Sequence, residues 1–426
     1  MSGAPPDAPA RAADPPPIAL SQRKLTLLIA SLSSLGPFAI DSYLPAFGAI
    51  EASLGATPLQ LQQTLSVYLL TFTVMMLWHG AIADAFGRRR AILAALAVFT
   101  AGTVGAALAG SIEQLWFWRA VQGLAGGAGM SIGRAVVRDR VGGAQAQRML
   151  AQVMMMFAVA PAIAPIIGGW VTHWFGWRAV FGLLALMSLT LFVAIARWLP
   201  ETLPPERRQS FRPRDLFVAY RGVFGSLDFW RLAGALGLNF QGLFLMIMAA
   251  PALLTRHLGL SETEFGWLFV PTTIGMMSGS FAASRLAGRR PLDWSIRAGY
   301  AVMAVGAMLG IAFNLGGTPP LALAIAPLVI YTAGMGVSMS ALQVRVLDLA
   351  PQRAGLVSSS QGFVQSLFNV LTAAVLVPLL WNAPLHLAYG MAGLLVAGAS
   401  LYLWHHSRRG PAAFHRSTPH PGGPKA

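Results

Sequence analysis

The chain alternates long apolar runs with short breaks rich in charge, glycine and proline. Twelve runs follow one another, at 24–50, 58–83, 90–111, 112–137, 147–171, 178–199, 229–254, 263–285, 295–315, 319–347, 355–381 and 386–405. Each is near the roughly 20 residues that an α-helix needs to cross a hydrocarbon core. The runs are continuous and rich in Leu, Ala and Gly, whereas a membrane β-barrel requires strands of about ten residues that alternate apolar and polar. The pattern therefore predicts an all-α polytopic membrane protein with twelve transmembrane helices.

The breaks are as informative as the runs. Arg23 and Lys24, Arg88-Arg89-Arg90, Arg138 and Arg140, Arg207 to Arg221, Arg285 to Arg290, Arg353 and Arg408-Arg409 fall in alternate breaks, and the others offer only Arg178 and Arg256. Basic residues in short loops mark the cytoplasmic side, so both termini are expected there. Trp170, Trp174 and Trp177 sit near span ends, where an interfacial belt places them. The longest internal polar stretch divides the chain into six spans and six. This gives a cytoplasmic tail (1–22), a first six-helix half (23–200), a cytoplasmic central loop (201–227), a second half (228–406) and a second tail (407–426). A half-length repeat is visible in the breaks after spans two and eight: Gly80-Ala-Ile-Ala-Asp-Ala-Phe-Gly-Arg-Arg-Arg and Gly279-Ser-Phe-Ala-Ala-Ser-Arg-Leu-Ala-Gly-Arg-Arg. Two related halves point to a secondary transporter with its site at their interface.

Composition agrees. The 426 residues are 55% hydrophobic and 11% charged, with a mean hydropathy of +0.61, against about 25% charged in a soluble domain. The net charge of +15 is spread over alternate loops rather than gathered in one patch, which argues against nucleic acid as a partner. With no cysteine, disulfides and thiolate metal sites are impossible. The eight histidines have no metal-ligand spacing, and no phosphate-binding loop exists. An enzyme is not expected, nor a metal or other cofactor, and the energy source left is an ion gradient.

One acid interrupts an apolar run. Of the 15 Asp and Glu residues, all but Asp41 fall in tails, loops or span ends. A carboxyl at that depth normally faces a protein interior or a watery path. Arg119, in span four, lies at a similar depth, roughly 10–14 Å down at 1.5 Å per residue. At a separation of about 4 Å the two would attract by about 4 kcal/mol at an effective dielectric near 20. Burial and a neighbouring arginine pull the proton affinity of Asp41 in opposite directions. A substrate that displaces Arg119 would then couple transport to proton exchange; a static ion pair between spans one and four is the plainer alternative.

Three further stretches carry recognisable patterns. Gly80, Asp84, Gly87, Arg88 and Arg90 fill the loop after span two; Gly87 permits a tight turn, and Asp84 suits the positive end of a nearby helix. Arg119, Gln122, Gly123 and Gly126 share one face of span four. Pro161, Pro165, Gly168 and Gly169 punctuate span five, the prolines breaking helix hydrogen bonds and the glycines allowing close helix approach. Together these resemble the signatures of the major facilitator superfamily. Ile40-Asp-Ser-Tyr-Leu-Pro45, Gly133-Arg-Ala-Val-Val-Arg-Asp139, the run ending at Gly169 and Leu199-Pro-Glu-Thr-Leu203 resemble its Bcr/CflA group of drug-resistance transporters. The resemblance implies two pseudo-symmetric six-helix halves and proton-coupled export of small amphipathic molecules through the inner membrane. It also implies that Asp84 latches the halves against the start of span eleven near Gly355, and that the span-five pattern accompanies export. Ala164 departs from that pattern, and Ser284 replaces the acid in the second loop.

In the second half, Ser358, Gln361, Gln365 and Asn369 form one polar stripe along span eleven, which either lines a central cavity or joins helices by hydrogen bonds. Asn239 and Gln241 in span seven point to different faces, so at most one reaches cargo. Tyr43 and Tyr68 are candidate aromatic walls, Gln122 a candidate polar contact, and Met154-Met-Met156 packing. The expectation is a monomer in the lipid bilayer that binds a small molecule and exchanges it for protons. Its alternatives are a symporter or an exporter dedicated to one endogenous metabolite.

Overall fold

The computed structural model describes residues 21–141, 143–209, 211, 213–350 and 354–408, and among these every regular element is helical. Span one is α1 (Gln22–Asp41), a single 3-10 turn (Leu44–Ala46) and α2 (Phe47–Leu54). Span two is α3 (Pro58–Met76) and α4 (His79–Phe86), bent by 48° at their junction. Span three is α5 (Arg88–Ala107), and span four is α6 (Ile112–Gly126) and α7 (Ala128–Arg140), broken at the Gly126-Gly127 pair. Spans five and six are α8 (Gly143–Phe175) and α9 (Trp177–Trp198). The central stretch read as a loop contains a helix of its own, α10 (Pro213–Phe224).

The second half opens with α11 (Leu227–Met248), which widens into a π-helical turn over Pro251–His257. Then come α12 (Gly266–Leu286), α13 (Leu292–Asn314) and α14 (Leu321–Leu347). Span eleven is α15 (Ala354–Leu371), a second π-turn (Thr372–Leu376) and α16 (Val377–Leu380); α17 (Pro384–Arg408) is span twelve. The apolar periodicity thus placed every span to within a few residues.

Helix ends follow local chemistry. Ser21, Thr57, Ser111 and Ser226 each accept a hydrogen bond from a first-turn N–H of α1, α3, α6 and α11, which satisfies donors that the helix itself cannot. In the first half, α1 packs on α7, α8 and α9, α3 on α6, and α5 on α6 and α9. In the second, α14 packs on α12 and α13, and α11 and α13 pack on α17. The halves meet along two seams: α3 against α15 and its π-turn, and α8 against α12 and the turn before it. The outward faces keep large apolar side chains such as Leu186, Phe281, Met308 and Val396 exposed, as a bilayer requires.

Candidate functional site

Span one breaks where its acid stands. Asp41 is the last residue of α1; Ser42 turns back to donate its hydroxyl to the Phe38 carbonyl at 2.7 Å, and Pro45 belongs to the 3-10 turn that follows. The carboxyl is therefore at the C-terminal end of a helix, the wrong end for a negative charge. It is 6% exposed, and among the described residues it has no hydrogen bond or ion pair.

Arg119 reaches the same span at the Ala39 carbonyl, two residues before Asp41, yet the two are not paired. The guanidinium is wholly buried. Its Nη1 donates to the Ala39 carbonyl at 3.2 Å and to Gln122 Oε1 at 2.5 Å. Its Cζ stands 4.7 Å from the ring centroid of Tyr43 and 4.3 Å from that of Tyr68. Nε and Nη2 meet no acceptor. Both tyrosines are held from behind, Tyr43 by Thr64 at 2.9 Å and Tyr68 by the Gly36 carbonyl at 3.0 Å. Gln122 spends its amide nitrogen on Thr103 of span three at 2.7 Å. Residues proposed separately as coupling groups, aromatic walls and polar contact thus form one nest around a cation. Tyr43, Tyr68 and Gln122 are fully enclosed here rather than lining open space.

A second cluster gathers at the arginine-rich end. Arg88 pairs with Asp84 at 2.5 Å and with Asp139 at 3.1 Å, and Thr202 also donates to Asp139 at 3.2 Å. Glu201 accepts from the N–H of Arg88 at 2.8 Å and of Arg89 at 3.5 Å, capping the positive end of α5. Gly87 turns with φ +99, and a Cβ there would run into the Glu201 carboxylate, 2.5 Å from its Oε2. Three stretches that look like unrelated motifs (80–90, 133–139 and 199–203) are one electrostatic unit inside the first half. Gly80 has open space where a side chain would stand, and Arg90 is exposed. Asp84 finds its partner in its own loop; residues 351–353, where the expected latch to span eleven would begin, lie outside the described residues, as do the side chains of Ala354 and Gly355 and of Met154 and Met155.

At the arginine-poor end, polar contacts run between the halves. Gln62 and Gln63 of α3 donate to the Ala373 and Ala374 carbonyls at 3.3 and 3.4 Å. Those two carbonyls belong to the π-turn of span eleven. Arg256 grips both oxygens of Glu51 at 2.9 and 3.1 Å, and His173 meets Glu262 at 3.1 Å. The span-five glycines serve two masters. A Cβ on Gly168 would strike the Ser42 carbonyl at the break in span one, and one on Gly169 would strike the Glu262 carbonyl of the other half. Glu262 is held by a 3-10 turn outside the spans, whose Ser261 N–H and hydroxyl donate to Glu264 and keep that carboxyl below its ordinary range. Pro161 and Pro165 sit within α8, the latter buried.

The second half answers with amides. Asn239 donates to Ser338 of span ten at 2.7 Å. Gln241 turns the other way, donating to Asn369 at 2.8 Å and accepting from Thr372 at 2.8 Å. Gln361 donates to Gln365 at 3.0 Å, and Ser358 is half-buried on the same helix. From Gln361 onward the stripe on span eleven is therefore hydrogen-bonded, and its Asn369 end joins two helices. Sequence reasoning passed over Gln62, Gln63, Glu51 and Arg256. Two adjacent glutamines inside an apolar run were the available signal for the first pair.

Comparison with known proteins fits this geometry. A family model described as Major Facilitator Superfamily matches residues 27–375. A bicyclomycin resistance protein homolog of Haemophilus influenzae is 26% identical over 396 residues, 91% of this chain and 98% of its own. Multidrug resistance protein D of Escherichia coli is 29% identical over 262 residues, 61% of this chain and 65% of its own. Among solved structures, a bacterial homolog of the human lysosomal transporter Spinster superposes with a TM-score of 0.70 at 18% identity, over 91% of this chain and 97% of that one, which shows a common fold. The chain belongs to the major facilitator superfamily, as a multi-pass membrane transporter and not an enzyme, and its resemblance is to the Bcr/CflA type.

Proposed function

We propose that this protein is a proton-coupled antiporter that exports small amphipathic molecules, drugs or related metabolites, across the inner membrane by alternating access. In this reading the arginine-rich end and both termini are cytoplasmic, and the halves 23–200 and 228–406 rock about the site between them. The observation that carries it is the unpartnered carboxyl of Asp41, two residues beyond the carbonyl held by a guanidinium that has neutral partners of its own.

Magnitudes support that separation of roles. Two aromatic faces contribute about 2 kcal/mol each at a desolvated site, and each hydrogen bond from a charged donor about 1.5–3 kcal/mol. Their sum is comparable to the several kcal/mol that desolvating a cation costs. Arg119 can therefore stay in place whether Asp41 is charged or neutral, and Asp41 is free to exchange a proton. Cargo entering from the cytoplasm binds beside Asp41. The seal made by Gln62, Gln63, Glu51–Arg256 and His173–Glu262 then opens, Asp41 takes a proton from outside as cargo leaves, and the proton is released inward on return. The gradient supplies the energy without a bound cofactor, and one chain suffices. Relatives named for bicyclomycin and multidrug resistance favour drugs as cargo.

The test is transport in proteoliposomes under an imposed pH gradient. Export of ethidium-like dyes or antibiotics is expected for the native protein and is lost in Asp41→Asn, with insertion unchanged. Undiminished gradient-driven export by that variant would remove the coupling role. Net flux down the proton gradient, into the compartment that protons enter, would instead mark a symporter.

A further inference from the structure

Where span three begins and span six ends there is an open recess of about 470 Å³ that transport does not use. It lies between the start of α5 and the end of α9, lined by Arg89, Arg90, Arg197, Trp198, Glu201 and Arg208 among others. Four arginines face one acid, and that acid is occupied. Glu201 Oε1 accepts from the backbone N–H groups of Arg88, Arg89, Thr202 and Leu203 at 2.8, 3.5, 3.0 and 3.2 Å. Arg89 is partly spent as well, donating to the Ala196 carbonyl at 2.6 Å.

Among the described residues, Arg90, Arg197 and Arg208 have no carboxylate partner, and Arg208 Nε is buried without an acceptor. So many like charges around one small volume repel one another, and an anion placed among them relieves that repulsion. The surroundings say which anion. Trp198 is 54% exposed at the end of α9, where an indole sits at headgroup level. Moving along α9 toward the bilayer centre, Val193, Leu189 and Leu186 are exposed at spacings of three and four residues, on one helix face. Arginines alone would suit any phosphate, but arginines at the foot of an apolar track suit a phosphate that carries acyl chains.

We propose that this recess binds the headgroup of an anionic phospholipid from the adjoining leaflet, its phosphate among Arg90, Arg197 and Arg208 and its chains along α9. Basic pockets at helix ends beside the cytoplasmic surface are suited to such headgroups. The transport reading enters only in naming that leaflet the cytoplasmic one. Arg208 also approaches the Gly87 turn, its Nη2 3.3 Å from where a Cβ there would stand. The bound lipid thus ties the central stretch to the loop after span two.

The full chain, reconstituted in phosphatidylcholine vesicles, provides the test through quenching by brominated lipids. Trp198 is one of twelve tryptophans, so its signal is the difference between the native protein and Trp198→Phe. Dibrominated phosphatidylglycerol should quench it at a far lower mole fraction than dibrominated phosphatidylcholine, a preference of roughly fivefold for each arginine engaged. Excess inorganic phosphate should leave that preference intact, and Arg197→Gln with Arg208→Gln should abolish most of it. Equal quenching by the two lipids overturns the proposal without any variant. Relief by inorganic phosphate would overturn it in favour of a soluble anion, and an undiminished preference in the double variant would overturn the assignment of these arginines.

Discussion

The two halves share a fold but bury polarity in opposite ways. The first half encloses a carboxyl with no partner and a guanidinium with two of its nitrogens unpaired. The second holds a chain of neutral amides and hydroxyls, Thr372 to Gln241 to Asn369 on one side and Asn239 to Ser338 on the other. A buried amide network with all but one of its bonds made (Asn239 Oδ1 alone of the atoms named has no partner) costs less than a lone carboxyl at the same depth, which is costly unless it changes charge as the molecule works. The difference teaches where an energy source can act: the first half has a group that can change charge at depth, and the second has a scaffold for it to work against.

Exchanging the character of the two halves gives the largest expected effect. Asp41→Asn makes the first half as neutral as the second and should reduce gradient-driven export to background. Asn239→Asp puts a carboxyl in the second half, opposite Ser338, and should lower thermal stability without restoring coupling to the Asp41→Asn protein. Coupled transport by that double variant would show that either half can host the proton, and the comparison would fail.

Next in size are the paired glycines of span five, which separate contacts within a half from contacts between halves. A Cβ on Gly168 meets Ser42 of its own half, and one on Gly169 meets Glu262 of the other. Overpacking of this kind costs about 1–3 kcal/mol. Gly168→Ala should therefore appear as a lower melting temperature. Gly169→Ala should instead pry the halves apart at the arginine-poor end, shifting the balance of open and closed forms by roughly 5- to 150-fold at that cost. Distances between spin labels at that end would register the shift. Identical behaviour of the two variants would mean that Gly169 is ordinary packing.

A smaller effect is expected in the amide network. Gln241→Ala removes both of its hydrogen bonds to span eleven and leaves Asn369 and Thr372 without them, at about 1 kcal/mol or slightly more for each. The melting temperature should fall while the pH dependence of transport stays unchanged. A shifted pH profile would draw the second half into coupling.

Much of this was legible in the residues. Apolar runs of membrane length located the spans, because in lipid a helix is the economical way to satisfy each backbone group. Asp41 stood out because a charge at that depth is rare. That Arg119 would bond the Ala39 carbonyl and Gln122 and leave Asp41 unpaired was not legible, because depth fixes only one coordinate. Nor was the link among Arg88, Asp139 and Glu201, since loops distant in sequence meet only when the helices between them are packed. The widened turns at 251–257 and 372–376 leave no mark in hydrophobic periodicity, because one extra residue per turn barely changes which side chains are apolar.

The seam between α3 and span eleven offers the smallest and most local break in the comparison. Gln62 is buried and donates to the Ala373 carbonyl, which is presented by a π-turn. In a regular α-helix that oxygen would be taken by its own chain four residues on; a π-turn loosens that claim and offers the oxygen sideways. Gln62→Ala should therefore weaken closure at the arginine-poor end by about 1 kcal/mol, roughly a fivefold shift toward opening. Thermal stability should change little, because the bond joins halves rather than building either one. Gln63, nearer the rim and 3.4 Å from Ala374, should matter less. Accessibility of a cysteine introduced at Ala373, which is buried at this seam, labelled with a membrane-impermeant maleimide, reads this opening directly. Labelling that is unchanged in Gln62→Ala would show that the amide packs against the turn without sealing it, leaving closure to the Glu51–Arg256 and His173–Glu262 contacts.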